Sequence, residues 1–327
     1  MKKKKKMVCA IASAALVAAV FLPLPSSAST SSGDPVMAAA GDIACNKLNP
    51  NFNRNTCFEM ATSDLVLAHP EVDIVQTIGD GQYPCGSYGS FLMGYNPTWG
   101  RFLSITHPAI GNHEYESSGS DPGCNTSATG YFQYYGAAAQ PNGANAYYSY
   151  DISGTGTSTA RWRVIVLNGN CALVPCSTGS LQEQFLQSAL STTPSGSCIM
   201  AVWHQPRFNG ATLSGKADYL PFWQDLVAAH AALVLNGHNH YYMRYVPQLA
   251  NGTADPSGVT EMIVGTGGAS QGNPKVISPN VGAWERGSYG IQFLTLHATS
   301  YDWQFVETNG TTQTVFDSGS APCTPVP

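Results

Sequence analysis

The chain has 327 residues, a formal net charge of −5, 33 glycines and only 11% Asp, Glu, Lys and Arg. That length allows a sizeable core in one large domain or two ordinary ones. The acidic balance argues against nucleic acid as a routine partner. The chain opens on a cationic stretch, Lys2–Lys6, followed by an apolar run from Met7 to Leu22 and small residues at Ser26-Ser27-Ala28. This pattern is a secretion leader covering residues 1–28, with a run too short and too cleanly followed by a cleavage point to span a membrane. Its loss would take the charge to −10, since no acidic residue precedes Ser29. Residues 29–327 are then expected to form a single exported domain with no membrane attachment, because no Pro/Ser-rich linker divides them.

Val36 to Ala40 reads as the first core strand and ends at Asp42. Cys57 to Ala68 has helical spacing, with Phe58, Met60, Ala61 and Leu65 on an apolar face. The central strand begins at Asp73 and empties into Gly79-Asp80, so the opening is a β-α-β unit with a parallel pair. From Pro84 to Tyr148 the composition is that of loops, apart from Ile105 to Ile110 leading into Gly111-Asn112-His113-Glu114. Trp162 to Leu167 and Ile199 to Trp203 read as buried strands, the second ending at His204. Ser180 caps a helix to Leu190 with Leu181, Phe185, Leu186 and Leu190 on one side. Asp218 to His230 is an amphipathic helix presenting Tyr219, Phe222, Trp223 and Leu226. Leu233 to Leu235 runs into Gly237-His238-Asn239-His240. Glu261 to Val264, Ile291 to His297 and a hairpin from Trp303 to Phe316 around Asn309-Gly310 complete the strands, and Thr324 to Pro327 reads as a loose tail.

Eight cysteines follow the leader, and an even number in an exported chain points to disulfides. Eight allow about a hundred pairings. Order along the chain makes Cys45–Cys57, Cys85–Cys124 and Cys171–Cys176 the simplest, with Cys198–Cys323 left over. A cysteine-based zinc site is the alternative, and it lacks any pair spaced Cys-x-x-Cys.

Polar residues recur at strand ends: Asp42, Asp80 with Tyr83, Asn112 with His113 and Glu114, His204, and His238 with His240. Carboxylate, imidazole, amide oxygen and phenolate together suit moderately hard transition metals rather than calcium alone. The glycines before them permit tight, often left-handed turns that aim the next side chain inward. In isolation each has a plainer reading: a capping or turn Asp, a rim Tyr, a hydrogen-bonded core His. His69, His107, His230 and His297 match nothing in the pattern and read as surface or core residues, with His107 nearest to the cleft in sequence.

Taken in order, these pieces resemble the calcineurin-like metallophosphoesterases, whose pattern is GD…GDxxY/H…GNH…H…GHxH. The purple acid phosphatase branch is the most similar, because Ala44 stands where the generic family has a His and Tyr83 supplies a phenol instead. The resemblance runs from about Val36 to Tyr242. It implies an α/β fold, an αββα four-layer sandwich of two mixed sheets with flanking helices. It also implies a two-metal centre bridged by Asp80, with Asp42, Tyr83 and His240 on one ion and Asn112, His204 and His238 on the other. Ferric iron at the Tyr83 site, beside zinc, manganese or ferrous iron, is the cofactor expectation. His113 would face the substrate and assist the leaving group, with Glu114 orienting it, and Asn112 would meet the substrate beside it. Apart from the resemblance, Arg207, Tyr241, Tyr242 and Arg244 flank motif residues and are candidates to bind the substrate, with packing as the plainer reading of the aromatics. The activity implied is hydrolysis of phosphate monoesters by a metal-bound hydroxide. The alternatives are phosphodiester or nucleotide hydrolysis at the same centre, or an exported binding protein that keeps the fold without the chemistry.

Overall fold

β1 (Val36–Ala40), α1 (Glu59–Leu67) and β2 (Ile74–Ile78) form the expected β-α-β unit, with β1 and β2 parallel and Met37 opposite Ile74. This computed structural model describes residues 33–45, 57–117, 121, 123–139, 145–209, 215–274 and 276–327, so the leader lies outside the described residues. A short helical turn, α2 (Tyr88–Ser90), then leads to β3 (Thr106–Ala109), α3 (Thr129–Tyr135), β4 (Tyr148–Ser153) and β5 (Arg161–Val166). α4 (Leu181–Ser191), β6 (Cys198–Val202), α5 (Leu220–Ala228) and β7 (Leu233–Asn236) follow. The chain closes with β8 (Tyr242–Tyr245), β9 (Thr260–Val264), β10 (Val281–Glu285), β11 (Tyr289–Leu296), β12 (Ser300–Thr308) and β13 (Gln313–Pro322).

The strands form two mixed sheets. One has six strands in the order β13-β12-β11-β1-β2-β3, and the other seven in the order β10-β8-β9-β7-β6-β5-β4. β1, β2 and β3 are parallel, as are β5, β6, β7 and β9, while β11 runs antiparallel to β1. Side chains alternate across each strand, and here both faces are buried. In β5 and β6, Trp162, Val164, Val166, Met200 and Val202 point between the sheets, where Met37, Ile78 and Leu294 of the first sheet belong to the same core. Ile165, Ile199 and Ala201 point the other way, onto Leu186 of α4 and Phe222, Trp223 and Leu226 of α5. Burial on both faces is why these strands read as continuous apolar runs instead of alternating ones.

α1 departs from its predicted face. Met60 and Leu67 are exposed, whereas Glu59, Thr62 and Ser63 turn inward beside Leu65 and Val66. The cause is polar anchoring: the Thr62 hydroxyl donates to Gly267 O at 2.5 Å and accepts the Trp99 indole N–H at 3.1 Å. Leu181 of α4 is likewise exposed, while Ser180 caps that helix as expected by accepting the Glu183 N–H at 3.2 Å. The C-terminal segment is docked, not loose. Cys323 is bonded to Cys198, and the Val326 backbone exchanges hydrogen bonds with Gly196 and Ser197. All four expected disulfides are present. No helix among the described residues is long and apolar enough to cross a membrane.

Candidate metal centre

The ends of β1, β2, β3, β6 and β7 bring the strand-end residues together. Asp42 and Asp80, directly after β1 and β2, and His238 after β7 all have left-handed backbones, with φ of 59°, 49° and 66°. For residues with a Cβ this conformation is strained and persists only where the surroundings enforce it. Gly79, at φ 88°, is left-handed as expected, whereas Gly41, Gly111 and Gly237 are not. At the first and last of these turns the left-handed residue is the functional side chain itself, and the neighbouring glycine supplies room. A Cβ on Gly111 would lie 2.1 Å from Asp80 Oδ1, and one on Gly237 would lie 2.7 Å from Asp42 Oδ2.

Asp80, 1% exposed, stands at the middle. Its Oδ2 is 3.0 Å from the Tyr83 hydroxyl and 3.0 Å from His204 Nε2, and its Oδ1 accepts the His113 backbone N–H at 2.9 Å. On one side, the Tyr83 hydroxyl is 2.8 Å from Asp42 Oδ1 and 2.9 Å from His240 Nε2, which is itself 3.1 Å from Asp42 Oδ1. On the other, donor atoms of Asp80, His204 and His238 all lie within 4.8 Å of one another, and His238 Nδ1 is 2.9 Å from Asn112 Oδ1. Asp80 thus lies beside the imidazoles that follow Gly237, as a shared carboxylate requires.

Counting protons shows that this cluster suits cations. The Nδ1 of His204 faces Ile78 O at 2.7 Å, and that of His240 faces Ser270 O. Only an N–H can face a carbonyl, so each neutral ring turns the lone pair of Nε2 toward a carboxylate. His204 Nε2 is buried without a hydrogen-bond donor. One phenolic proton serves Asp42 Oδ1, Asp80 Oδ2 and His240 Nε2. Donor separations near 3 Å match adjacent ligands of an ion about 2.1 Å from each. The residues present therefore fit the group.

Electrostatics without an ion agree. Burial would lower both histidines, yet Asp80 raises His204 to about 9 and Asp42 raises His240 to about 9. Burial would raise Asp80, yet His204 and His113 hold it well below the usual carboxylate range. His238 is lowered to about 4 by burial and by His204. Burial, then Asp42 and Asp80, push the Tyr83 phenol well above its ordinary value.

Several expected roles change. The carboxylate of Glu114 does not orient His113. It accepts the backbone N–H groups of Asp80 at 3.0 Å, Gly81 at 2.8 Å and Gly111 at 2.8 Å, tying two strand-end turns together. Burial, then the charge of Asp80, raise it to about 7. His113 is held instead by Pro84 O, 2.6 Å from its Nδ1, with its ring 4.4 Å from that of Tyr83. The Arg207 guanidinium is committed to Lys216 O at 2.5 Å and Ala250 O at 2.6 Å, away from the cluster. The Tyr241 hydroxyl donates to Asn209 O at 3.3 Å. His107 stacks on Tyr150 at 3.7 Å, outside the cleft.

Sequence reasoning missed Gln82. Its Nε2 donates to Cys45 O at 3.1 Å and Tyr83 O at 2.8 Å, and its Oε1 accepts the Tyr95 N–H at 3.1 Å. It also missed the wrap of Gly265-Thr266-Gly267-Gly268 around the first turn, where Gly267 N–H donates to Gly41 O and Ala269 N–H to Asp42 O. The glycine run was the available signal.

Among solved structures, the chain is similar to the purple acid phosphatase PPD1 from yellow lupin (Lupinus luteus) seeds, at TM-score 0.59 and 18% identity. That match covers 88% of this chain and 53% of the lupin enzyme, so the chain spans about half the lupin enzyme's length. It is also similar to PhoD, at TM-score 0.57 and 12% identity over 89% of this chain and 70% of that one. This is the calcineurin-like metallophosphoesterase fold. GAP50, described as the anchor in the inner membrane complex of Plasmodium, shares it at TM-score 0.59 and 14% identity, with 90% of each chain covered. No family profile and no curated protein matches the sequence. A metallophosphoesterase fold alone does not decide activity, which rests on the site.

Proposed function

We propose that the chain is an exported metallophosphatase that hydrolyses phosphate monoesters at a two-metal centre. The observation that carries this reading is Asp80, whose Oδ2 touches both the Tyr83 hydroxyl and His204 Nε2 at 3.0 Å. Asp80 would be shared by two ions, one also held by Asp42, Tyr83 and His240, the other by Asn112, His204 and His238. When bound, the ions supply charge for the phosphate oxygens and acidify a water toward pH 7. The hard phenolate of Tyr83 favours ferric iron on its side, with zinc, manganese or ferrous iron as partner.

The chain's own groups do the rest. His113 is partly exposed, and with Nδ1 directed at Pro84 O the ring atom turned toward the cluster, 3.9 Å from Asp80 Oδ2, is its Nε2. A proton held there serves the departing ester oxygen. Four disulfides fit an oxidising, extracellular location.

Comparing turnover of a monoester and a bis-ester of one phenol, with Asp80→Ala as control, tests the reading. The monoester should be much the faster, and Asp80→Ala should hydrolyse neither. Preference for the bis-ester would move the substrate to phosphodiesters. The likeness to GAP50 favours a second reading, a module that binds without hydrolysis, and stoichiometric metal with no turnover of any phosphate ester would establish it.

A further inference from the structure

The two halves of the centre are supported differently. The Asp80–His204–His238 half is built on the strand ends themselves: His204 is fully buried at the end of β6 and pinned to Ile78 O. The phenol of Tyr83 depends on two loops that run on past β1 and β2. Ile43 N–H donates to Asp80 O, Ala44 N–H to Gly81 O and Tyr83 N–H to Ala44 O, at 2.8 to 3.0 Å. Gln82 joins the same loops through Cys45 O and Tyr83 O. Each loop then ends at a disulfide. Cys45, three residues after Asp42, is bonded to Cys57 at the start of α1. Cys85, two residues after Tyr83, is bonded to Cys124. Close to Cys124, Asp121 accepts hydrogen bonds from the Ser87 and Ser90 hydroxyls, so the Cys85 segment is bolted twice to one neighbour. Pro84, between Tyr83 and Cys85, presents the carbonyl that holds His113.

We infer that Cys45–Cys57 and Cys85–Cys124 are positioning cross-links for the Tyr83 half of the centre: with them the chain holds two metal ions, and without them it keeps only the ion of the Asp80–His204–His238 half. The inference rests on the functional reading above. Cys198–Cys323 provides the control, because Cys198 opens β6 while His204 lies beyond its other end, so that cross-link is far from the site along the strand.

The test uses the full mature chain, with zinc(II) followed by titration calorimetry and iron(III) followed by its visible phenolate band. Cys85→Ala/Cys124→Ala and Cys45→Ala/Cys57→Ala should each weaken one zinc equivalent at least tenfold, leave the other within about twofold, and lose most of the iron band. Tyr83→Phe should reproduce that pattern. Cys198→Ala/Cys323→Ala should melt at a lower temperature with both equivalents and the band retained. Folded Cys85→Ala/Cys124→Ala and Cys45→Ala/Cys57→Ala chains that bind two zinc ions like the parent would overturn the inference. So would equal weakening of both equivalents, which would make the cross-links supports of the fold in general. A parent chain that binds no zinc would overturn the functional reading itself, and the inference with it.

Discussion

Asp80 carries its carboxylate on a left-handed backbone, and the residues around it exist to keep it there. A Cβ at Gly111 would strike both its Oδ1 and its backbone nitrogen, at 2.1 and 2.3 Å. Gly111→Ala should therefore shift the turn by an ångström or so and lower turnover by roughly a hundredfold, the usual scale for a misplaced reacting group. Steady-state kinetics beside a melting curve would separate this from unfolding. Glu114→Gln tests the brace behind the same turn. One of three N–H groups then faces an amide NH₂ instead of an acceptor, at a cost of about 1–3 kcal/mol, read from the urea midpoint. The ligand candidates were legible because each follows a strand end, all but His204 at a short spacing from a glycine. Their partners were not, because Ile78, Pro84 and Ser270 act through backbone carbonyls, which any residue has. Glu114 was misread for a related reason: adjacency to His113 in the chain says nothing of the direction its side chain takes.

At the scale of elements, the strands buried on both faces were readable, and so was the order in which they deliver the site. β4, β8 and β10 were not. β4 and β10 are the edge strands of the second sheet, and β8 lies next to β10. Strands at an edge need no strong apolar pattern, and β10 carries a glycine among alternating exposed positions. α1 misled because its helical period is real while its inward face is polar, set by the Thr62 bonds to Gly267 and Trp99. The C-terminal segment looked loose by composition, but Cys323 and Val326 tie it to the start of β6. Cys198→Ala/Cys323→Ala should cost about 2–5 kcal/mol of stability, measured by denaturant unfolding of the metal-free chain.

At the scale of the whole molecule, stability and metal binding are linked through protons. In the metal-free chain His204 and His240 are raised to about 9, so their contribution is complete below the unfolded value near 6.5 and is lost as pH rises through 9. Glu114, raised to about 7, and Glu261, raised by burial to about 8, also bind more protons folded than unfolded over that window. Their sign is the same. His238, lowered to about 4, acts oppositely and removes stability as pH falls from about 6.5 to 4, and Asp80, also lowered, does so only below about 4. Thermal midpoints of the metal-free chain should therefore decline as pH rises from about 6 toward 9. Metal loading should flatten that decline and release protons, since ligands bind deprotonated. Calorimetry in buffers of different ionisation enthalpy would count them.

Metal content of the purified mature chain, beside that of Asp80→Ala, tests the shared carboxylate most directly. Elemental analysis should find two transition-metal ions per parent chain and fewer than one in Asp80→Ala, with phenyl phosphate hydrolysis lost in step. An Asp80→Ala chain that keeps both ions, or a metal-free one that still hydrolyses the ester, would contradict it.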